Sequence, residues 1–379
     1  MLLSYCTNVH PAEDLEGVIR QMRDYAGSIR RAAGLEALGV GLWLPAGLAR
    51  HLAASADDRA ALRAVLEAEG LVLHTLNAFP YGGFHDDVVK HAVYRPTWAD
   101  RARLDYTLDC AAILADLLPA GADGSISTLP LAWRHPWTEQ DDDVATAAFA
   151  ELSTRLEQLR QSTGRTIRVA VEPEPGCVLD TISDVAGWLG DRLSRGIDPN
   201  YVGVCVDACH LAVSFADPAA AIAEIDAAGL RVVKVQASAA LHVDDPSVPA
   251  ARSALAGFVE PRYLHQVREL SADGVRSADD LDAALAELPG QGPWRVHFHI
   301  PLHHRPAVPL DTTVEDLRQT VAEVARLPYG PEVHLDVETY TWSVLPDAGV
   351  GLIDGIAAEL DWARRHLLRA APAASAPLS

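Results

Sequence analysis

Lysine is nearly missing from this 379-residue chain: it occurs only at positions 90 and 234, and the other basic residues are arginines. Lys and Arg together number 31 against 52 Asp and Glu, a formal net charge of −21. So little positive charge argues against a nucleic-acid partner, because such binding relies on Lys and Arg to neutralise phosphates. Cysteines are also few: Cys6, Cys110, Cys177, Cys205 and Cys209 form an odd, unevenly spaced set, with no pair at zinc-ribbon spacing. That excludes a disulfide framework and reads as reduced thiols. No apolar run approaches the roughly 18 residues of a membrane span. The opening MLLSYCTNVHP has no basic stretch leading into a long apolar one, so the expected location is the cytoplasm.

What the chain does contain is ordinary core-forming material, 49% hydrophobic and 22% charged, in an alternation of strand and helix patterns that predicts a parallel sheet. Strands are expected at 2–8, 38–44, 71–77, 125–131, 167–172, 202–207, 231–236, 294–299 and 333–338. Helices are expected at 12–32, 57–69, 96–118, 139–162, 181–194, 217–228, 312–326 and 351–369. The predicted fold is α/β, a (β/α)8 barrel, read as one domain over residues 1–370 with a disordered tail at 371–379. Nine strand candidates exceed the eight of such a barrel, so one lies outside it. Residues 238–292 show two helical patterns, near 260–270 and 277–287, and no strong strand. They are the expected insertion, before the last strands.

Five strands end on residues that can bind a metal or move a proton: RVAVE at Glu172, VGVCVD at Asp207 with His210 after it, VVKVQ at Gln236, WRVHFH at His299 and VHLDVE at Glu338. Side chains two apart share a face of a strand, which groups His297 with His299 and Lys234 with Gln236. A parallel barrel brings the carboxyl ends of its strands to one mouth, so these ends form one site. Lys234 is either half of a buried ion pair or a group that binds substrate or an intermediate. Oxygen ligands with one or two imidazoles suit Mn2+, Mg2+, Co2+ or Zn2+. A cation held by Glu172, Asp207, His299 and Glu338 would keep positions open for two substrate oxygens, polarise a carbonyl and stabilise an enediolate. Glu172 and Glu338 on opposite sides of the bound carbon would then remove and return a proton, which is isomerase or epimerase chemistry. Phe79, Tyr81, Phe84, Trp133 and Trp137 in the early loops, and Trp342 beyond Glu338, either cover a small polar ligand or pack loop against loop. Asn77 and His242 complete the candidates for substrate contact.

The Glu, Asp-x-x-His and Glu strand ends, in this order, resemble the xylose isomerase-like barrel superfamily of sugar and sugar-phosphate isomerases, ketose 3-epimerases and endonuclease IV barrels. More closely, YCTNVHP, LNAFPYGGFH, VEPEPG, VDACHL, KVQAS, HFHIPLH and VETYTW resemble the EboE family of metabolite traffic proteins, over nearly the whole chain. The resemblance implies metal ligands at Glu172, Asp207 and Glu338 and a substrate-contacting, catalytic role for His210. The remaining ligand in the ketose epimerases is a His on the strand that here ends in Gln236. Either Gln236 replaces it or His299 supplies it. The family's gene clusters also encode sugar phosphate cyclase-like and prenyltransferase-like proteins, which implies a cyclitol or other polyol-derived metabolite as ligand. A homo-oligomer or a complex with proteins of the same cluster is a further expectation, and a non-catalytic carrier or an endonuclease IV-like phosphodiesterase are the alternative functions.

Overall fold

Val, Leu and Ile dominate the first seven parallel strands: β1 (Leu2–Cys6), β2 (Leu38–Trp43), β3 (Leu71–Asn77), β4 (Gly124–Thr128), β5 (Ile167–Val171), β6 (Val202–Asp207) and β7 (Val232–Ala237). The computed structural model describes residues 1–346 and 349–368, so the tail expected at 371–379 lies outside the described residues. After β7 the chain leaves the barrel for β8 (Leu241–Val243), β9 (Val267–Ser271), β10 (Gly274–Ala278), β11 (Trp294–Val296) and β12 (Leu310–Thr312), and it returns as β13 (His334–Val337). The order β1-β13-β7-β6-β5-β4-β3-β2 closes on itself, every pairing parallel. This is the expected eight-stranded barrel, with helices packed around it.

Local signals set most of the helix ends. Thr138 and Asp141 form a reciprocal capping box at the start of the helix Glu139–Thr163, and Gly164 ends it at φ 71°, a left-handed conformation that costs glycine least. A second capping box, Thr181 with Asp184, opens Ile182–Gly190. The helix expected from 96 begins only at Arg101, because Pro96 and the extended Asp100 precede it. The run expected over 12–32 starts at Leu15 behind the Asp14 cap and widens to a π-helical turn at Met22–Ala26.

The surplus strand candidate, 294–299, is the one outside the barrel. Only Trp294–Val296 is strand, and it pairs antiparallel with β8 and β9 in a second sheet of order β10-β9-β11-β8-β12. The helical pattern near 260–270 is overturned: it gives way to a loop and to β9, whose alternate residues Val267 and Glu269 are buried. The pattern at 277–287 is helical only over Leu281–Glu287. The same sheet runs past residue 292 to Thr312. It has its own apolar cluster, with Leu241, Val267, Trp294 and Phe298 at its centre.

Below the mouth, the barrel interior is polar. Lys234 pairs with Asp336 at 2.9 Å, both side chains fully buried, and Ser4 Oγ donates to Asp336 at 2.6 Å. Gly41 makes the space: a Cβ there would lie 2.1 Å from Asp336 Oδ2. Of the two readings of Lys234, the ion pair is the one observed.

Candidate active site

The strand ends converge at the carboxyl mouth. Glu172 follows β5, Asp207 ends β6, Gln236 is next to last in β7 and Glu338 follows β13. Asn77 ends β3, and Asn8 lies two residues past β1. All six are buried, none more than 5% exposed. One oxygen each from Glu172, Asp207 and Glu338 lies within 4.8 Å of the others.

Hydrogen bonds fix half of each carboxylate. Glu338 Oε1 accepts from Asn8 Nδ2 at 2.7 Å and Asn77 Nδ2 at 2.8 Å. Asp207 Oδ1 accepts from Ser238 Oγ at 2.8 Å and from the His210 backbone N–H at 2.9 Å, so Asp207 also caps the short helix Ala208–Val213. Gln236 Nε2 reaches Glu172 Oε2 at 3.4 Å.

Three imidazoles border this cluster, and their partners define their tautomers. His299 Nδ1 faces the Glu338 carbonyl at 2.6 Å and His210 Nδ1 the Pro173 carbonyl at 2.8 Å. A carbonyl can only accept, so both rings donate from Nδ1 and keep a lone pair on Nε2. His297 Nδ1 meets Gln266 Oε1 at 2.6 Å. The Gln266 amide is oriented by its Nε2, which donates to Glu174 Oε1 and Tyr94 Oη at 3.0 Å each. His210 Nε2 and His297 Nε2 consequently face each other at 3.1 Å. Two lone pairs at that distance require a proton or a cation between or beside them. Two groupings offer room for one: Glu174 with His210 and His297, and Asp207 with His210 and His299.

The electrostatics follow from crowding the buried carboxylates of Glu172, Glu174, Asp207 and Glu338 together. Burial, then the neighbouring Glu338 and Asp207, push the Glu172 carboxyl well above its ordinary range. Burial and then Asp207 raise Glu338 to about 8, while Lys234 and the Asn8 hydrogen bond pull it back in part. Burial lowers His299 to about 4, against the pull of Asp207, and holds His297 well below its ordinary value. These imidazoles are therefore neutral near neutral pH, the form that binds metals.

A divalent cation fits the donors present. Asp207 Oδ2, Gln236 Oε1 and His299 Nε2 are all buried without a hydrogen-bond partner. Buried polar atoms are normally satisfied, and Asp207 Oδ2 and His299 Nε2 lie 3.8 Å apart, close enough for one cation to satisfy both.

Other expected site residues fall elsewhere. Lys234 does not line the cavity above the cluster, because Asp336 holds it one layer below. His242 is on β8 in the second sheet, bonded to Asp244 at 2.9 Å. Tyr81 packs edge-on against Tyr106, and Trp133 lies behind Tyr94 with Arg134 over its ring. Trp342 turns away from the mouth and donates to Glu359 at 2.9 Å, while its neighbour Tyr340 takes the wall position. His297, Asn77, Phe79 and Phe84 do line the cavity. Sequence reasoning missed Asn8, Glu174, Tyr94 and Tyr340. The strand-end rule, applied to β1 as it was to later strands, finds Asn8.

Glu359 supports the site from behind. Its carboxyl accepts from Leu302 N at 3.0 Å, Thr339 Oγ1 at 2.7 Å and Trp342 Nε1 at 2.9 Å, joining the last helix to the segments that carry His299 and Glu338. Glu359→Gln turns an amide N–H toward one of these donors. A loss of about 1–3 kcal/mol is expected, measured by urea unfolding.

Carboxylates, imidazoles and an amide at the carboxyl mouth of a closed parallel barrel define a (β/α)8 protein with a cluster able to hold a metal ion. The chain belongs to the xylose isomerase-like TIM barrel family, whose model matches residues 29–275. Among solved structures it is similar to D-psicose 3-epimerase in the presence of D-fructose, at 12% identity and TM-score 0.49, over 97% of this chain and 99% of that one. A xylose isomerase domain protein from Alicyclobacillus acidocaldarius subsp. acidocaldarius is similar at 16% identity and TM-score 0.48, over 98% and 100%. An IolI protein with a bound zinc atom is similar at 11% identity and TM-score 0.46, over 97% and 99%. No curated protein matches the sequence.

Proposed function

We propose that this protein isomerises or epimerises a small polyhydroxy carbonyl compound at a divalent metal centre held by Glu172, Asp207 and Glu338, with Gln236 or His299 as the remaining ligand. The observation that carries this reading is the approach of three buried carboxylate oxygens within 4.8 Å of one another. Such a cluster is costly unless a cation offsets it. When bound, the cation supplies Lewis-acid polarisation of a carbonyl. The chain's own residues supply the rest. Asn8 and Asn77 fix the Glu338 carboxyl, which burial among other carboxylates makes readier to hold a proton than an ordinary carboxylate before a cation binds. Glu172 faces it across the cluster, so one carboxyl can take a proton from the carbon beside the carbonyl and the other return it. His210 lines the cavity, its Nε2 beside that of His297, and is the imidazole assigned to contact a substrate hydroxyl. The test is incubation of substrate with metal-loaded protein in deuterated water: label should appear at the carbon next to the carbonyl.

The second reading, a carrier that binds a metabolite without converting it, is favoured by the amide of Gln236 at a position where ketose epimerases have an imidazole, and by the motif resemblance to EboE traffic proteins. It expects binding without exchange. The phosphodiesterase reading fits the three clustered imidazoles but not the net charge of −21. We expect no salt-sensitive affinity for DNA or RNA. Micromolar binding that weakens steeply with added salt in a filter-binding titration would restore it.

A further inference from the structure

The cavity over the cluster has two unlike halves. Its floor is polar, made by Asn8, Asn77, Glu172, His210, His299 and Glu338. Its upper wall is apolar and aromatic: Phe79, Phe84, Val89 and Val93 from one loop, with Leu264 and Tyr340 facing them. The two sides of this roof are fastened together. The N–H groups of Val89 and Lys90 donate to the Arg262 carbonyl at 2.7 and 2.9 Å, and Tyr263 Oη donates to the Phe84 carbonyl at 3.2 Å. The cavity has a volume of ≈ 60 Å³.

Lys90 is the only Lys or Arg lining the cavity among the described residues, and its ammonium is paired with Asp280. An anionic group on a ligand would therefore find no free cation from the chain. It would instead meet the oxygens of Glu172, Glu174 and Glu338, with Asp207 just beneath. Like charges brought together in a buried site are disfavoured.

Resting on the metal-centred reading above, we infer that the compound this site takes is uncharged and two-sided, with adjacent hydroxyl and carbonyl oxygens at one end and an aromatic or alkyl group at the other, and that phosphorylated sugars are excluded. The oxygens go to the floor, and the apolar end fills the space beneath Phe84, Val93 and Leu264, where its burial adds affinity in proportion to the area removed from water.

The test uses full-length protein loaded with cobalt(II) and three α-hydroxyketones: 2-hydroxyacetophenone, dihydroxyacetone and dihydroxyacetone phosphate. Calorimetry gives the affinities, and the visible cobalt spectrum reports ligation. 2-Hydroxyacetophenone should bind about tenfold or more tighter than dihydroxyacetone, and the phosphate should bind weakest. Leu264→Asn and Val93→Asn should each shrink the first ratio, and Asp280→Asn, by releasing Lys90, should tighten the phosphate several-fold. Since these variants can disturb packing, the wild-type ranking decides by itself. A phosphate that binds as tightly as the phenyl ketone, a phenyl ring that adds nothing, or no binding of any probe to the cobalt-loaded protein overturns the inference. Tight phenyl-ketone binding with no deuterium uptake upholds it and removes isomerisation, so the two claims fail separately.

Discussion

Glu338→Gln lowers the rate of proton exchange on the true substrate by about 10²–10⁴, the usual cost of losing a general base, while ligand binding falls far less. Glu338 Oε1 is held by two amide donors, Asn8 and Asn77. A glutamine carbonyl can accept both bonds, so the side chain keeps its place. What disappears is the carboxylate that takes the proton. Exchange is followed by proton NMR in deuterated water and binding by calorimetry on the same preparation. Wild-type protein that binds its ligand tightly with metal present and shows no exchange, together with Glu338→Gln binding equally well, would sink isomerisation in favour of the carrier.

Purified protein should hold about one divalent metal ion per chain by elemental analysis, as an open site of hard ligands does, and Asp207→Ala or Glu172→Ala should lose it. Asp207 is the more severe change, because it removes an unpartnered buried oxygen and the cap of the following helix together. Binding must also compete with protons. Below about 8 Glu338 holds its proton, and a cation must displace it, so affinity rises with pH up to that point and binding releases protons. The sign for stability follows from the same shift. A carboxyl raised above its ordinary value of 4.5 favours folding while protonated, and that contribution is lost as pH climbs through about 8. Buried neutral imidazoles such as His299 act oppositely, but only between about 4 and their ordinary 6.5. From pH 6.5 to 8, then, the Tm of metal-loaded protein should increasingly exceed that of metal-free protein. A constant difference across that window, or wild-type protein that cannot be loaded with any divalent metal, would refute the centre.

The barrel and its floor were legible because they obey a local rule. Branched apolar runs ending on Glu172, Asp207, Gln236 and Glu338 report strand direction and the mouth at once, with no knowledge of distant partners. The second sheet was not legible for the opposite reason. β8, β11 and β12 are three residues each, too short to show a period of two, and their pairing is visible only in three dimensions. His297 and His299 were read as the end of a barrel strand, yet they reach the site on an extended segment beyond β11, aligned by Gln266 and the Glu338 carbonyl. Lys234 shows the limit of reading a face: alternation points it inward, but whether it meets substrate or Asp336 depends on the register of β7 against β13. The aromatic loops divided on the same ground. Phe79 and Phe84 face the cavity, whereas Tyr81 and Trp133 are occupied by Tyr106 and Tyr94.

The seam between β1 and β13 has a consequence for the order in which the molecule assembles. Ser4 and Asp336 are hydrogen-bonded across 332 positions, and the seam cannot form until the whole second sheet has left the ribosome. Contacts so distant in sequence carry the largest closure entropy and form slowly. The second sheet, by contrast, has antiparallel neighbours and an apolar cluster drawn from its own segment. We expect the arc from β1 to β7 and this sheet to gain protection first, with the seam closing last. Pulse-labelled hydrogen exchange that finds the amides of His334–Val337 among the earliest protected would contradict that order. Until closure, β1 and β7 are both open edges, and Glu338 is still apart from Glu172 and Asp207.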